Sequence, residues 1–197
     1  MESLDNLCAC LSKLPGIGRR SAERMAMKLV RNRDGLLKEL IAALEDAGKS
    51  IRCCSMCGNI TSVENELCRL CTDRNRDGKI LCVVEDPNDI IMIERSGGFH
   101  GRYHALMGKI SPLKGDGPDN LRIESLLERV EKEKFEEVVL ALNTDVESDA
   151  TASFVSDLLK DKDVKVTRLA FGLPAGSGIM YSDPVTLARA IKGRQEF

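Results

Sequence analysis

The sequence lacks any apolar run long enough to cross a lipid bilayer. Its longest apolar runs, residues 80–84 and 138–142, have the length of a strand, whereas a transmembrane helix needs about 20 consecutive apolar residues. The first residues also lack the basic region and apolar stretch of a secretory signal peptide. We therefore expect no membrane span and no export, and a protein of the reducing cytoplasm.

A phosphate-binding P-loop is also missing. The glycine-rich segment at residues 172–178 contains no Gly-Lys-Ser or Gly-Lys-Thr, so nucleotide binding is unsupported. Histidine is scarce, and neither His100 nor His104 has an acid or a nucleophile beside it in the sequence. We expect both histidines to serve loop or strand structure.

Cysteine, in contrast, is abundant, and four of the eight cysteines follow the spacing of metal ligands. They are arranged as C-x-x-C, ten intervening residues and a second C-x-x-C: Cys54, Cys57, Cys68 and Cys71. This spacing lets four thiolates surround one zinc ion, and a closed four-thiolate site holds structure and does no chemistry. Two disulfides or four unrelated thiols are the alternatives. Cys53 is either a spare ligand or a bystander.

Charge is unevenly distributed along the chain. Residues 13–33 contain seven basic residues and a single acidic one, a net charge of +6 on a chain whose total is −2. The other residues therefore carry −8. A basic segment on an otherwise acidic protein is a candidate binding surface for phosphates.

The basic segment contains Leu-Pro-Gly-Ile-Gly at residues 14–18. Leucines at three- and four-residue steps predict a helix that reaches Leu14, and the following proline ends it. A second helix begins near Arg20, with Arg24 and Lys28 on the same stripe because the three residues are four apart. A third helix, at about residues 36–47, should pack on the first two.

This pattern resembles the helix-hairpin-helix module, which holds nucleic-acid backbones without reading the base sequence. Hairpin amides near a helix N-terminus donate to a phosphate, and arginines add counter-charge. The alternative is an ordinary corner between two helices. Four basic residues are the predicted DNA contacts: Arg19, Arg20, Arg24 and Lys28.

The C-terminal two-thirds alternates strand and helix patterns. Strands are predicted at residues 80–84, 103–107, 138–142 and 164–169. This alternation predicts an α/β fold with a parallel sheet, in which sites lie at the carboxyl ends of the strands. Acidic residues follow two of these strands: Glu85, Asp86, Asp89, Asp145 and Glu147.

A glutamate after the first strand and an acidic cluster after a later one resemble the Toprim fold of topoisomerases and primases. There the second cluster usually reads D-x-D-x-E-G and holds magnesium for phosphoryl chemistry. Here Asn143 stands at the first acid and Ser148 at the glycine. Losing one carboxylate weakens the hold on magnesium, and neither of the only two tyrosines lies in a cleavage motif. We predict no enzymatic activity; the acids either bind a basic partner protein or keep a weak magnesium site.

The last predicted helix follows Asp183-Pro184, an N-cap and a first-turn proline. An apolar helix at the end of a chain often packs onto another subunit. The tail is therefore predicted to support oligomerisation.

Four features in chain order resemble the bacterial recombination mediator family RecR. They are the Leu-Pro-Gly-Ile-Gly hairpin, the four-cysteine knuckle, Cys-Val-Val-Glu at residues 82–85 and the segment 167–174. Residues 103–113 and 181–183 also resemble that family. Two departures are Ser148-Asp149, where Gly-Glu is usual, and Met180, where Glu is common.

The resemblance implies a non-enzymatic, DNA-binding recombination mediator in DNA repair, associated with the nucleoid. Family members form dimers and ring-like tetramers. They work with RecO and RecF to help load RecA on gapped DNA or on DNA coated by single-strand-binding protein. The basic module would touch DNA, and the acidic face would receive a basic partner such as RecO. The alternative is a magnesium-dependent nuclease or primase-like enzyme of the Toprim type.

Four domains are predicted on this basis. They are a helix-hairpin-helix DNA-binding region at residues 1–52, a four-cysteine zinc finger at 53–72, a Toprim domain at 78–173 and a C-terminal tail at 174–197.

Overall fold

A computed structural model describes residues 2–112, 115–170, 172–173, 176 and 178–194. Three positions within the motif ranges given above lie outside the described residues: Leu113, Phe171 and Pro174. Parts of the glycine-rich segment and the last three residues of the tail also lie outside them. The α-helices are α1 Glu2–Leu11, α2 Arg19–Arg31, α3 Lys38–Ser50, α4 Arg69–Thr72, α5 Pro87–Ser96, α6 Ile123–Glu133, α7 Val146–Leu159 and α8 Pro184–Lys192. The strands are β1 Ile51–Cys53, β2 Ile60–Ser62, β3 Ile80–Val84, β4 Arg102–Ala105, β5 Glu137–Leu140 and β6 Lys165–Arg168.

The chain divides into two compact units, one of residues 1–52 and 62–64 and one of residues 53–61 and 65–197. We call them the N-terminal unit and the sheet unit. In the N-terminal unit, α2 buries Ala22, Ala26 and Leu29. The domain boundaries expected from the sequence stay predictions.

The third helix starts later than predicted. The chain enters α3 through a π-helical turn at Arg33–Leu37, and α3 contributes no fully buried residue. Ile41 and Leu44 are 49% and 64% exposed, whereas Leu40 is half-buried. Much of the apolar surface of α3 is therefore exposed, and its packing on α1 and α2 stays a prediction.

The sheet unit is built on a four-stranded parallel sheet with the order β4-β3-β5-β6. Val83 pairs with His104 of β4 on one side and with Leu140 of β5 on the other. The chain moves outward from β3 to β4 and then continues on the opposite side of β3 with β5. The carboxyl ends of β3 and β5 thus mark the reversal point where open α/β sheets bind ligands.

Residues of β3 alternate between the two faces of the sheet. One face packs against α6 and α7 in a cluster that includes Leu81, Val83, Leu126 and Val155. The other face packs against α5 and against the cysteine knuckle, which we define as residues 54–71, in a cluster that includes Cys82, Val84, Ile90, Cys54 and Cys57. The knuckle is therefore part of the layer that covers this face.

Helix boundaries follow local capping. Asp86 and Asp89 form a capping box at the start of α5, and Asp145 is the N-cap of α7. Pro118–Asn120 forms a 3₁₀ turn, and α6 starts only at Ile123. Among the described residues, no helix combines the length and the apolar character needed to cross a bilayer.

Candidate metal centre and nucleic-acid interface

The structure brings the four spaced cysteines together. Their sulfur atoms lie within 4.8 Å of one another. Cys54 and Cys71 are 3.8 Å apart, and Cys57 and Cys68 are 3.5 Å apart. All eight cysteines lie in the described residues as free thiols, so the disulfide alternative is not what the structure shows.

These sulfur distances suit a tetrahedral metal. With Zn–S bonds of about 2.3 Å, the sulfur–sulfur edges of a tetrahedron are about 3.8 Å. Backbone amides point at the sulfurs: the Cys68 amide donates to Cys54 Sγ at 3.3 Å and the Asn59 amide to Cys57 Sγ at 3.4 Å. Such donors favour thiolates, the form that binds metal. The donor set therefore fits zinc.

The electrostatics of the cluster also call for a cation. Hydrogen bonding with the Cys57, Cys68 and Cys71 side chains lowers the pKa of Cys54, whereas the hydrogen bond with Cys54 raises the pKa of Cys57. One thiolate is thus favoured only when its neighbours keep their protons. A divalent metal removes this conflict, because its charge offsets several thiolates at once.

The predicted DNA contacts lie on the N-terminal unit. The hairpin between α1 and α2 uses Gly16 at φ +77°, a left-handed conformation that glycine adopts without strain. Gly18 is the N-cap of α2 and no side chain caps that helix. The first amides of α2 therefore lack intrahelical acceptors and can donate to an anion.

Four basic side chains surround that helix start and follow its exposed side. Arg20, Arg24 and Lys28 are exposed, while Ala22 and Ala26, offset from them by two positions, are buried. Arg19 is also exposed but forms an ion pair with Glu23 at 3.1 Å. An exposed pair of this kind is weak, about 0.3–0.5 kcal/mol. The stripe can therefore meet a phosphate backbone.

The five acidic residues predicted as a site in the sheet unit divide into three sets. Glu85, which follows β3, is buried, and both of its oxygens accept from Asn143. The Asn143 amide nitrogen and Nδ2 each donate at 2.8 Å. Asn143 stands where the Toprim pattern has an acid. Its two donors thus engage both oxygens of Glu85, the atoms that would otherwise bind a metal.

The second set, Asp145 and Glu147, shares one lysine as its counter-ion. Lys109 Nζ lies 2.7 Å from Asp145 Oδ2 and 3.4 Å from Glu147 Oε2. The hydrogen bond from Lys109 lowers the pKa of Asp145 to about 2. The Ser111 hydroxyl also donates to Glu147.

The third set, Asp86 and Asp89, serves helix α5. Asp86 Oδ1 accepts from the Asn88 amide at 2.8 Å, and Asp89 Oδ2 accepts from the Asp86 amide at 2.9 Å. Burial raises the pKa of Asp89. The five acids therefore do not form one ligand set, and two of them have a structural task.

Three known proteins named recombination protein RecR are similar to nearly the whole chain. That of Acidothermus cellulolyticus is 46% identical over 186 residues, covering 94% of this chain and 92% of that protein. That of Moorella thermoacetica is 46% identical over 195 residues, covering 99% and 97%. That of Thermobifida fusca is 44% identical over 193 residues, covering 98% and 96%. The chain belongs to the RecR family.

Family models agree with this assignment. The RecR helix-hairpin-helix matches residues 4–48, the Toprim domain residues 79–170 and the RecR C-terminal segment residues 172–195. The predicted family and fold class are thereby confirmed, with the parallel sheet and the clustered cysteines in the places expected. The roles of individual RecR-family site residues stay predictions.

Two arginines fasten the knuckle of this RecR-family chain, and sequence reasoning missed both. Arg102 donates to two carbonyl oxygens beside the second cysteine pair, at 3.0 and 2.9 Å. Arg122 donates to two carbonyl oxygens within the first pair, at 2.7 and 3.1 Å. Each arginine is isolated at the end of an element, so no periodicity marks it in the sequence.

His104 has the structural role expected from the sequence. Its side chain is fully buried, and Nε2 lies 2.8 Å from the carbonyl oxygen of Arg122. Burial lowers the pKa of His104 to about 3, so the ring is neutral near pH 7. On the other side of the ring, Arg129 Nη1 lies 3.5 Å from Nδ1, and a guanidinium cannot accept a proton from it.

Proposed function

We propose that the protein is a non-enzymatic recombination mediator in DNA repair that holds DNA through its N-terminal unit. In this role it acts at the nucleoid with RecO and RecF, and helps to load RecA on gapped DNA or on DNA coated by single-strand-binding protein. The observation that carries the proposal is the 44–46% identity, over nearly the whole chain, to relatives named recombination protein RecR.

The uncapped N-terminus and the basic side chains of α2 support binding to backbone phosphates. Its uncapped amides and the exposed stripe of Arg20, Arg24 and Lys28 supply donors and positive charge. Phosphate contacts position a protein on DNA but carry no sequence information. A mediator that works at many sites needs this kind of binding.

Reversing two charges of the stripe, in an Arg20→Glu, Arg24→Glu variant, is expected to weaken DNA binding at least about ten-fold. The slope of log affinity against log salt should also fall by about 2, because two phosphate contacts are lost. Fluorescence anisotropy with a labelled gapped duplex, over a salt titration, measures both quantities. Binding of RecO should be unchanged.

The matched control reverses two lysines of α3, Lys38→Glu and Lys49→Glu, in the same unit and with the same change in net charge. The control should keep most of its affinity for DNA. Equal losses in the two variants would show that general charge, not the stripe, holds the DNA. Loss of DNA and RecO binding together in a still-folded stripe variant would count against the separation of the two surfaces.

We further propose that Cys54, Cys57, Cys68 and Cys71 hold a structural zinc ion. The sulfur spacing and the amide donors support this assignment. Four protein ligands close the coordination sphere of zinc, which leaves no position for a reacting water. The metal would keep the knuckle rigid against the sheet.

The acidic side of the sheet unit is proposed to receive a basic protein partner such as RecO and not to catalyse phosphoryl transfer. Asn143 on Glu85 and Lys109 on Asp145 oppose magnesium binding. In the DNA assay above, added manganese should leave the labelled strand at full length on a denaturing gel. Cleavage that a Glu85→Gln variant abolishes would instead establish the Toprim-type enzyme.

Self-assembly into dimers and rings is also part of the proposal. Large apolar side chains are exposed in both units, among them Val30 at 49%, Leu44 at 64%, Met180 at 86% and Tyr181 at 85%. Isolated exposed apolar residues are normal, but groups of them often mark interfaces. Sedimentation equilibrium should give a mass at least twice that of the chain, and Leu44→Glu with Tyr181→Ser should lower it. A monomeric wild-type protein at micromolar concentration would overturn the ring.

A further inference from the structure

The segment that follows β4 crosses the carboxyl ends of β3 and β5. We call residues 107–111 the strap. The Gly108 amide donates to the Glu85 carbonyl oxygen at 3.0 Å, and the Ile110 amide donates to Thr151 Oγ1 at 2.9 Å. Thr151 is fully buried on α7. The strap is thus tied to the end of β3 at one point and to α7 at another.

We call Glu85, Asp145 and Glu147 the acid cluster. A lysine of the strap, Lys109, supplies the positive charge beside it. Lys109 Nζ lies between the carboxylates of Asp145 and Glu147, and the Lys109 side chain is only 25% exposed. The third carboxylate of the cluster, Glu85, is fully engaged by Asn143. The three carboxylates at the reversal point of the sheet are therefore all engaged by groups of the same chain: the Lys109 ammonium, the Asn143 amide and the hydroxyls of Ser111 and Ser148.

The backbone of the strap is strained at its start. Met107 has φ +66°, a left-handed conformation that is uncommon for a residue with a side chain. Such a conformation persists only when surrounding contacts impose it. The contacts of Gly108, Lys109 and Ile110 are the ones in a position to impose it.

We propose that Lys109 is a built-in counter-ion that takes the place of a divalent cation in the acid cluster and thereby holds the strap closed over it. A magnesium ion would need oxygen ligands at about 2.0–2.1 Å in octahedral geometry and would have to shed water to enter. The lysine ammonium satisfies Asp145 and Glu147 by hydrogen bonding, with no such requirement. Asn143 contributes to the same effect, because its N–H groups donate hydrogen bonds to both oxygens of Glu85 and so occupy these possible metal ligands.

Two consequences follow that are independent of DNA binding. The cluster should bind a divalent cation tightly only when both Lys109 and Asn143 are changed. The order of the strap should depend on the lysine, because without it Asp145 and Glu147 repel each other beneath the strap. Lys109 is therefore a positioning residue for the strap.

The test uses Lys109→Met, and Lys109→Met combined with Asn143→Asp, in the full chain. Manganese binding is followed by the electron paramagnetic resonance signal of free Mn²⁺. The wild type should show no saturable site, and the double variant should bind one equivalent at least about ten-fold more tightly than the single variant, since it gains a carboxylate ligand. Hydrogen exchange at the Gly108 and Ile110 amides should be at least about ten-fold faster in Lys109→Met.

The matched control is Lys79→Met, which removes another lysine–glutamate pair of the sheet unit, that of Lys79 with Glu136 at 2.5 Å. It should leave the exchange of the strap amides unchanged. Saturable manganese binding by the wild type that Glu85→Gln weakens would overturn the proposal. So would a folded double variant with no gain, or strap exchange in Lys109→Met equal to that of the control. If the double variant does not fold, the exchange measurement on the single variant decides.

Discussion

Replacing one proposed zinc ligand, in a Cys57→Ser variant, is expected to abolish cooperative unfolding of the sheet unit. Structural zinc contributes about 10–16 kcal/mol in zinc-finger peptides, whereas a whole domain is stable by only about 5–15 kcal/mol. Zinc held by the other three cysteines would reduce the loss of stability but would not remove it. Metal content by mass spectrometry and thermal unfolding by circular dichroism measure the effect.

The loss should extend beyond the knuckle because the cysteines are part of the sheet core. Cys54, Cys57 and Cys68 pack in the same cluster as Val84 and Tyr103, on the face covered by α5. Disorder in the knuckle would expose that face of the sheet to water. Each buried apolar side chain contributes roughly 1.5–3 kcal/mol, so the exposure of a few is enough to unfold a domain.

Cys53 offers the matched control, because it is the exposed neighbour of a buried ligand. Cys53→Ser should keep one zinc per chain and the melting temperature of the wild type. That result would make Cys53 a bystander and exclude it as a spare ligand. The zinc assignment would be contradicted if Cys57→Ser kept stoichiometric zinc, or if chelation left the unfolding transition of the wild type unchanged.

Features with local signals in the sequence were predicted well. The continuous apolar run at residues 80–84 coincides with β3, because a strand covered on both faces needs apolar residues at every position. The paired cysteine spacing placed four sulfurs within 4.8 Å of one another. Hairpin glycines and the four-residue steps of α2 likewise depend only on near neighbours in the chain.

Features that depend on distant residues were not predicted. Lys109 and Asp145 are 36 positions apart, and Arg122 lies 67 positions from a carbonyl oxygen that it holds. The absence of an acid at Asn143 was visible, but its bond to Glu85 needed the parallel pairing of β3 with β5. The start of α6 at Ile123 has the same origin, because the Arg122 amide donates to the Leu106 carbonyl oxygen at 2.9 Å and the Arg122 backbone, at φ −79° and ψ 43°, is not helical.

Arg76 is the clearest case of a residue whose importance the sequence hides. Residues 73–78 form a polar linker between the knuckle and β3, yet the Arg76 side chain is only 8% exposed. Its guanidinium donates to both oxygens of Glu94, at 3.0 and 2.6 Å, and Nε donates to the Gly101 carbonyl oxygen at 2.8 Å. The Tyr103 hydroxyl donates to the same glutamate at 2.7 Å, and the guanidinium lies 5.3 Å from the centre of the Tyr103 ring.

Replacing this arginine by an apolar side chain, in Arg76→Met, is expected to destabilise the sheet unit by about 3–5 kcal/mol. Breaking one side of a buried ion pair leaves the other charge without compensation, which costs about that much. Burial alone would raise the pKa of Glu94, but the hydrogen bonds from Arg76 and Tyr103 bring it below its ordinary value. The pair therefore stabilises the fold above the pKa of an unfolded glutamate, and that contribution disappears as the pH falls through the lowered value.

Urea unfolding of the wild type and of Arg76→Met at neutral pH and at acid pH measures both effects. The difference between the two proteins should be largest at neutral pH and should shrink as Glu94 takes up its proton. Arg74→Met is the matched control, since Arg74 is an exposed arginine of the same linker, and it should change the free energy of unfolding by less than about 0.5 kcal/mol. If Arg74→Met and Arg76→Met were equally stable, residues 73–78 would be the simple linker that their composition suggests, and the buried ion pair would add nothing to the fold.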